Sequence, residues 1–189
     1  LSYAGPGVAW GDFDGDGDDD LVVGAGRGGQ LAYFLNDGRG GFERRGSALG
    51  KEPAGEPSLT RDVMGLLLWP QPDGKRRLLT ASTHYEDGLA EGPAVRNHDL
   101  STGEVTDLAP TTESSVGPLA MADVDGNGEL DLFLGGRVIP GRYPEAATSR
   151  LLRREGGQFQ SIPADVELLR GIGLVSAAVF VVLDSDGDP

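Results

Sequence analysis

The stretch Asp12–Asp20 (DFDGDGDDD) carries a carboxylate at its first, third, fifth and ninth positions. Alternate residues of a tightly wound loop point to the same side, and Gly15 and Gly17 let the chain turn at positive φ. Calcium takes about six to eight oxygen ligands in a flexible geometry. The stretch therefore predicts a calcium-binding loop with Phe13 anchored in the core. The expected ligands are the carboxylates of Asp12, Asp14, Asp16 and Asp20 and the backbone carbonyl of Asp18.

The same pattern recurs at Asp123–Asp131 (DVDGNGELD). The expected ligands are the side chains of Asp123, Asp125, Asn127 and Asp131 and the backbone carbonyl of Glu129. This loop has three carboxylates where the first has four, so we expect it to be less repulsive when empty. A shortened copy at the end of the chain, DSDGDP, adds weaker candidate ligands at Asp184, Asp186 and Asp188.

The loop sequences allow three other interpretations. An EF-hand needs a Glu at the twelfth loop position and flanking helices, whereas Val23 and Leu134 stand there within apolar runs. Magnesium prefers a compact octahedral shell that keeps several waters, so a loop rich in protein oxygens favours calcium. The remaining alternative is that the Asp side chains cap turn amides, which accounts for one or two of them per loop.

The loops recur along the chain. Gly17, Gly74, Gly128 and Gly187 follow one another at intervals of about 54 to 59 residues. This period predicts repeats at 5–60, 61–112 and 113–170 and a truncated one at 171–189. In the copy around Gly74 the ligand positions become Trp69, Gln71, Asp73 and Arg77, and we hypothesise that the Arg77 cation partly replaces the metal there.

Each repeat contains four short apolar or mixed runs separated by turn residues, and no run has useful helical periodicity. Four strands per repeat predict an all-β fold of β-propeller blades, each a four-stranded antiparallel sheet. We expect an arc of about three and a half blades from a larger propeller; an open β-solenoid or a sandwich is the alternative. The predicted strands are Val8–Gly11, Leu21–Val23, Leu31–Leu35 and Phe42–Arg45; Leu66–Trp69, Leu78–Ala81, Ala94–Leu100 and Val105–Leu108; Leu119–Ala122, Leu132–Leu134, Ser149–Arg153 and Gln158–Ile162; and Ala178–Leu183.

The composition limits the kinds of partner that the chain is expected to bind. The chain has 30 acidic and 16 basic residues among 189, a formal net charge of −14, which argues against nucleic acid. There is no cysteine, and the first residues do not look like a signal peptide. The longest apolar stretch, Ile172–Leu183, is too short to span a membrane and predicts a buried strand. We expect the chain to be a piece of a longer protein.

The motif DxDGDGxxDL is matched by Asp12–Leu21, and by Asp123–Leu132 with Asn at the third ligand position. It resembles the FG-GAP/VCBS repeats of integrin α-subunit propellers and of many secreted bacterial proteins. The stretch Gly135–Phe159 is similar to the ASPIC/UnbV branch, which includes cartilage-acidic-protein-like proteins. The resemblance implies an extracellular scaffold for adhesion or ligand binding whose loops calcium stiffens.

We therefore expect a calcium-binding module with an unknown protein or glycan ligand. Extracellular calcium modules bind in the range of about 10⁻⁴–10⁻³ M, so we expect a secreted, cell-surface or periplasmic location. The alternative is part of a secreted polysaccharide lyase or hydrolase, with His84 and His98 as candidate bases, although a lone loop histidine is usually solvated and idle. We expect no catalysis within this segment. Open blade edges also allow self-assembly, and we expect Arg150, Arg153 and Arg154 to form a solvated strand face.

Overall fold

The computed structural model describes residues 5–46, 59–71, 73–85 and 91–182. Within these residues the chain forms three antiparallel sheets of four strands each. Blade 1 consists of β1 (Val8–Gly11), β2 (Asp20–Val23), β3 (Ala32–Asn36) and β4 (Phe42–Arg45). Blade 2 consists of β5 (Val63–Pro70), β6 (Arg76–Ser82), β7 (Pro93–Asp99) and β8 (Val105–Pro110). Blade 3 consists of β9 (Ser115–Ala122), β10 (Asp131–Val138), β11 (Arg150–Glu155) and β12 (Gln158–Ser161).

The strands of each blade are hydrogen-bonded in chain order, as in a meander. The first strands of successive blades lie side by side, because β1 contacts β5 and β5 contacts β9. The three sheets thus form an arc with their first strands on the inner side. The prediction of an all-β fold built from four-stranded antiparallel blades is confirmed, and each of the twelve strands predicted in the first three repeats overlaps a strand of the structure.

Apolar side chains fill the spaces between neighbouring blades. Alternation along β2 and β6 explains this, because successive side chains of a strand point to opposite faces. Val22 and Leu78 belong to the core between blades 1 and 2, while Leu79 and Leu132 belong to the core between blades 2 and 3. Blade 2 therefore presents one apolar face to blade 1 and the other to blade 3.

Two glycines let the inner strands approach one another. A Cβ added at Gly7 would stand 2.7 Å from the carbonyl oxygen of Met64, and one added at Gly65 would collide with the carbonyl oxygen of Gly117. Leu66 occupies the register position of Val8, so Gly7 and Gly65 are equivalent in the two blades. Backbone contact between inner strands thus recurs from one pair of blades to the next.

One face of blade 1 remains open to solvent. Trp10 is 58% exposed and packs edge-on against Phe42, with the ring centroids 6.0 Å apart. Leu68 of blade 2 takes the register position of Trp10 and packs against the core between blades 1 and 2. The exposed face of blade 1 is therefore equivalent to the face of blade 2 that packs against blade 1.

Two parts of the chain differ from the sequence-based expectations. A short helix, α1 (Pro163–Leu168), follows β12, where only sheet structure was expected. The stretch predicted as a buried strand at Ile172–Leu183 forms no strand over the described residues 172–182, and Ile172 and Val179 are 51% and 79% exposed. This segment makes one isolated β-bridge, from Gly173, and packs Phe180 edge-on against Phe133, so only one side of it is covered.

No helix in the described ranges is long and apolar enough to cross a membrane.

Candidate metal centre

The loop between β1 and β2 together with Asp20, residues 12–20 and hereafter loop 1, brings three carboxylates together. One oxygen each from Asp12, Asp14 and Asp20 lies within 4.8 Å of the other two. The sheet fixes this geometry, because Gly11 pairs with Asp20 and so closes the loop at its base. Phe13, only 1% exposed, is buried in the core between blades 1 and 2 as predicted.

Backbone N–H groups orient the carboxylates of loop 1. Oδ1 of Asp12 accepts a hydrogen bond from the Gly15 amide at 2.6 Å, and Oδ2 accepts one from the Gly17 amide at 3.2 Å. Asp14 and Asp16 each cap the amide two residues further on, at 3.2 Å and 2.9 Å. The interpretation of these side chains as turn caps is therefore correct for three of them. It does not exclude a metal, because a carboxylate has lone pairs left after accepting such bonds.

Asp20 stands apart from the other carboxylates of loop 1 because it is fully buried. Its Oδ2 accepts the N–H of Phe13 at 2.9 Å, and its Oδ1 accepts the N–H of Asn36 in β3 at 2.8 Å. The side chain thus joins the start of the loop, at Phe13, to β3. This structural role of Asp20 needs no metal.

The loop between β9 and β10 together with Asp131, residues 123–131 and hereafter loop 3, repeats the arrangement. Oxygens of Asp123, Asp125 and Asp131 lie within 4.8 Å of one another. Asp123 accepts the N–H groups of Asn127 at 3.1 Å and Gly128 at 2.7 Å. Its pKa is held below the usual range, first by the Gly128 N–H and then by other backbone N–H groups, although some burial opposes this.

The pKa of Asp14 moves in the opposite direction. Burial raises it above the ordinary value, and the carboxylates of Asp20, Asp16 and Asp12 add to the rise against the hydrogen bond from the Asp16 N–H. Crowded carboxylates favour any cation that can sit between them. Loop 1 therefore has the electrostatic character expected of a cation site.

The remaining predicted ligands take various positions. The carboxylate of Asp18 lies against Gly38, in the turn between β3 and β4. Asn127 accepts the N–H of Glu129 at 2.7 Å and donates to the carbonyl of Arg154 at 3.0 Å. The carboxylate of Glu129 accepts a hydrogen bond from the N–H of Gly157 at 3.0 Å. Asp184, Asp186 and Asp188 lie outside the described residues.

The loop around Gly74, hereafter loop 2, differs from the expectation. Trp69 pairs directly with Arg77, as Gly11 pairs with Asp20, so Trp69 belongs to the strand and does not hold the first ligand position. Loop 2 is one residue shorter than loop 1 between these paired positions, which an ungapped alignment on Gly74 misses. Asp73 pairs with Lys75 at 3.4 Å, while the Arg77 guanidinium lies 5.7 Å from the Trp69 ring centroid.

Sequence reasoning missed the cation that does reach an acidic loop. Nη2 of Arg76, at the start of β6, donates to Oδ2 of Asp12 in loop 1 at 2.9 Å. The two residues are 64 positions apart in the sequence. The signal lies in blade packing and not in any local motif.

Both histidine side chains are at least partly buried and lie within hydrogen-bonding distance of a hydroxyl group. His84 is only 4% exposed, and its Nδ1 lies 3.1 Å from the hydroxyl of Ser115. Nε2 of His98 lies 3.1 Å from the hydroxyl of Thr80, and burial, with a smaller effect of Arg96, lowers the pKa of His98 from 6.5 to about 4. The expectation of a solvated, idle loop histidine is wrong for His84.

The arginines of β11 are not a solvated face either. Arg153 contacts Asp165 at 2.9 Å, and Arg154 lies over the Trp69 ring, 4.9 Å from its centroid. Their side chains are 20% and 19% exposed. The expectation was wrong because α1 and blade 2 cover this part of β11.

The fold and the paired acidic loops define an all-β protein of propeller blades. Residues 4–41 match the family model described as the FG-GAP repeat, and this match covers loop 1 and the first three strands of blade 1. No curated protein sequence matches the chain.

Among solved structures, the chain is similar to a glycoside hydrolase family 43 arabinoxylan arabinofuranohydrolase from Bacillus subtilis, solved in complex with cellotetraose. The TM-score is 0.41 at 14% sequence identity, over 83% of this chain and 35% of that chain. The chain thus spans about a third of the length of that protein.

Proposed function

We propose that this chain is a calcium-binding propeller module in which loops 1 and 3 each hold one calcium ion. The observation that carries the proposal is the convergence of three carboxylates in each loop, Asp12, Asp14 and Asp20 in one and Asp123, Asp125 and Asp131 in the other. The donors fit the ion, because calcium is a hard cation that prefers carboxylate and carbonyl oxygens. The FG-GAP repeat match over loop 1 supports the same assignment.

Calcium in this position stabilises the connection between two strands. Each loop joins the first two strands of a blade, and its buried carboxylate, Asp20 or Asp131, also binds backbone N–H groups. An ion would neutralise carboxylates whose mutual repulsion otherwise opposes the folded loop. Metal binding and folding are then linked, so calcium raises the stability of the blades.

The role that fits a stiffened array of blades is a scaffold for binding a protein or glycan outside the cell or in the periplasm. The affinity expected of such loops supports this location, since they fill where free calcium reaches about 10⁻³ M. We further propose that the segment is not itself catalytic. The two candidate bases support this, because His84 is buried against Ser115 and His98 is held against Thr80.

The proposal is tested by thermal unfolding in calcium and in EDTA. We expect the melting temperature to rise with calcium concentration and to be lowest in chelator. Magnesium at equal concentration serves as the control and is expected to stabilise much less. A melting temperature that is the same in EDTA and in saturating calcium would rule out structural calcium.

A further inference from the structure

Loop 1 receives a cation from the neighbouring blade. Arg76 begins β6 of blade 2, and its Nη2 donates to Oδ2 of Asp12 at 2.9 Å. The arginine and aspartate side chains are 32% and 22% exposed, so the ion pair is partly shielded from solvent. Asp12 is the first residue of the loop and one of its three convergent carboxylates.

The guanidinium also lies against the backbone of loop 1. A Cβ added at Gly15 would stand 2.8 Å from Nη1 of Arg76, so a side chain at this position would push the arginine away. Gly15 has a φ of +98°, and its own N–H binds the other oxygen of Asp12. Loop 1 is therefore shaped to receive the arginine.

Loop 3 is treated differently. Asp123, the counterpart of Asp12, accepts two backbone N–H groups as Asp12 does, but no arginine among the described residues forms an ion pair with it. The arginines beside loop 3 come from β11 of its own blade and not from a neighbouring blade. Arg153 lies 3.5 Å from the buried carboxylate Asp131 at the end of the loop, and Arg154 lies 3.7 Å from Glu129. Loop 1 also has one more carboxylate, because Asp16 stands where loop 3 has Asn127.

We infer that Arg76 is a stand-in cation for loop 1, a positioning residue that stabilises the loop without calcium and lowers its calcium affinity. This inference rests on the proposed function. A fixed positive charge beside Asp12 offsets carboxylate repulsion in the empty loop and repels the arriving ion. The ion pair also spans two blades, so it couples the charge state of loop 1 to the docking of blade 2. The cation that reaches loop 1 thus comes from the strand that follows loop 2, whose sequence lacks the ligand pattern.

The test uses the substitution Arg76→Gln in the whole chain, with Asp125→Asn present to weaken loop 3. Lys75→Gln is the matched control, because it removes an equal charge at the neighbouring position while Lys75 pairs with Asp73. Calcium dissociation constants are measured by isothermal titration calorimetry at low ionic strength, where charge effects are largest. Melting temperatures are measured in EDTA and in saturating calcium.

Arg76→Gln is expected to tighten calcium binding by roughly tenfold relative to Lys75→Gln, as expected for a monovalent charge several ångströms from a divalent ion. The same variant should melt at a lower temperature than Lys75→Gln in EDTA, with a smaller difference in saturating calcium. A purely structural role would weaken binding and stability together. Calcium binding by Arg76→Gln that is equal to or weaker than that of Lys75→Gln overturns the inference and leaves the proposed function standing. Failure of every variant and of the unmodified chain to bind calcium overturns both.

Discussion

Asp20 and Asp131 hold the same place in blades 1 and 3, each a fully buried carboxylate that binds two backbone N–H groups from different segments. Asp20 accepts the backbone N–H groups of Phe13 and Asn36. Asp131 accepts the backbone N–H groups of Val124 at 3.1 Å and Arg154 at 2.7 Å. These residues close the acidic loops and tie the second strand of the blade to the third. They are expected to matter with and without metal.

Replacing either residue with asparagine tests this dual role. Asp20→Asn and Asp131→Asn should each lower the free energy of unfolding in EDTA by about 1–3 kcal/mol. The reason is that an amide has only one oxygen, whereas the carboxylate accepts one N–H group on each of its two oxygens. The measurement is urea unfolding in chelator. Asp19→Asn, an exposed neighbour of Asp20, is the control and should be near neutral. Unchanged stability of both buried variants in EDTA would show that these carboxylates serve the metal alone.

Asp14 separates metal binding from folding. Its side chain is exposed and caps only the Asp16 amide, so Asp14→Asn should have little effect in EDTA. In about 1 mM calcium the variant should lose the stabilisation of one site, about 1 kcal/mol and roughly 2–4 °C in melting temperature. Asp19→Asn again removes a charge without removing a ligand. Equal losses for the two variants in calcium would contradict the placement of Asp14 in the ion's coordination shell.

His98 makes stability depend on pH. Its pKa falls from 6.5 to about 4 on folding because the ring is buried, with Arg96 adding to the effect. Between these pH values the unfolded chain therefore binds more protons than the folded chain. The contribution of His98 to the free energy of unfolding is complete above pH 6.5 and falls as the pH drops towards 4. His98→Gln should remove this component, which amounts to roughly 2 kcal/mol by pH 5.

Urea unfolding of the two proteins between pH 7 and pH 5 measures the His98 contribution, with calcium absent so that carboxylate sites do not add a metal term. The difference in unfolding free energy between the parent and His98→Gln should shrink as the pH falls. A difference that stays constant over this range would mean that His98 keeps its ordinary pKa in the folded chain.

Gly65 should be needed for contact between the inner strands of blades 2 and 3. A Cβ there collides with the Gly117 carbonyl, so Gly65→Ala forces the two backbones apart and should cost about 1–3 kcal/mol of stability. Gly7→Ala tests the equivalent contact of blade 1 with Met64. Wild-type melting temperatures for both variants would be incompatible with this close approach.

Much of the fold follows from the sequence because each acidic loop marks the join between two strands. The bounds predicted for β1 and β4 are those observed, Val8–Gly11 and Phe42–Arg45. The helix α1 was missed because its six residues are too few to show a helical period. The apolar run at residues 172–182 was misread because an apolar run alone does not say whether both of its sides are covered.

The acidic loops were predictable and their surroundings were not. Convergence of Asp12, Asp14 and Asp20 follows from alternation within one short stretch. The contact of Arg76 with Asp12 depends on how two blades pack, which no local pattern encodes. The shortening of loop 2, which displaces Trp69 from its expected position, required the strand register of blade 2.

Calcium stoichiometry tests the central claim most directly. Equilibrium dialysis with radioactive calcium at about 1 mM free ion should find between one and two ions per chain, the occupancy of two sites with dissociation constants of about 10⁻⁴–10⁻³ M. The double variant Asp14→Asn with Asp125→Asn should lose most of this calcium. The double variant Asp19→Asn with Asp107→Asn, which removes equal charge away from the ligand clusters, should keep the parent value. Binding of no calcium by the parent chain, or equal binding by the two double variants, would contradict the assignment of loops 1 and 3 as calcium sites.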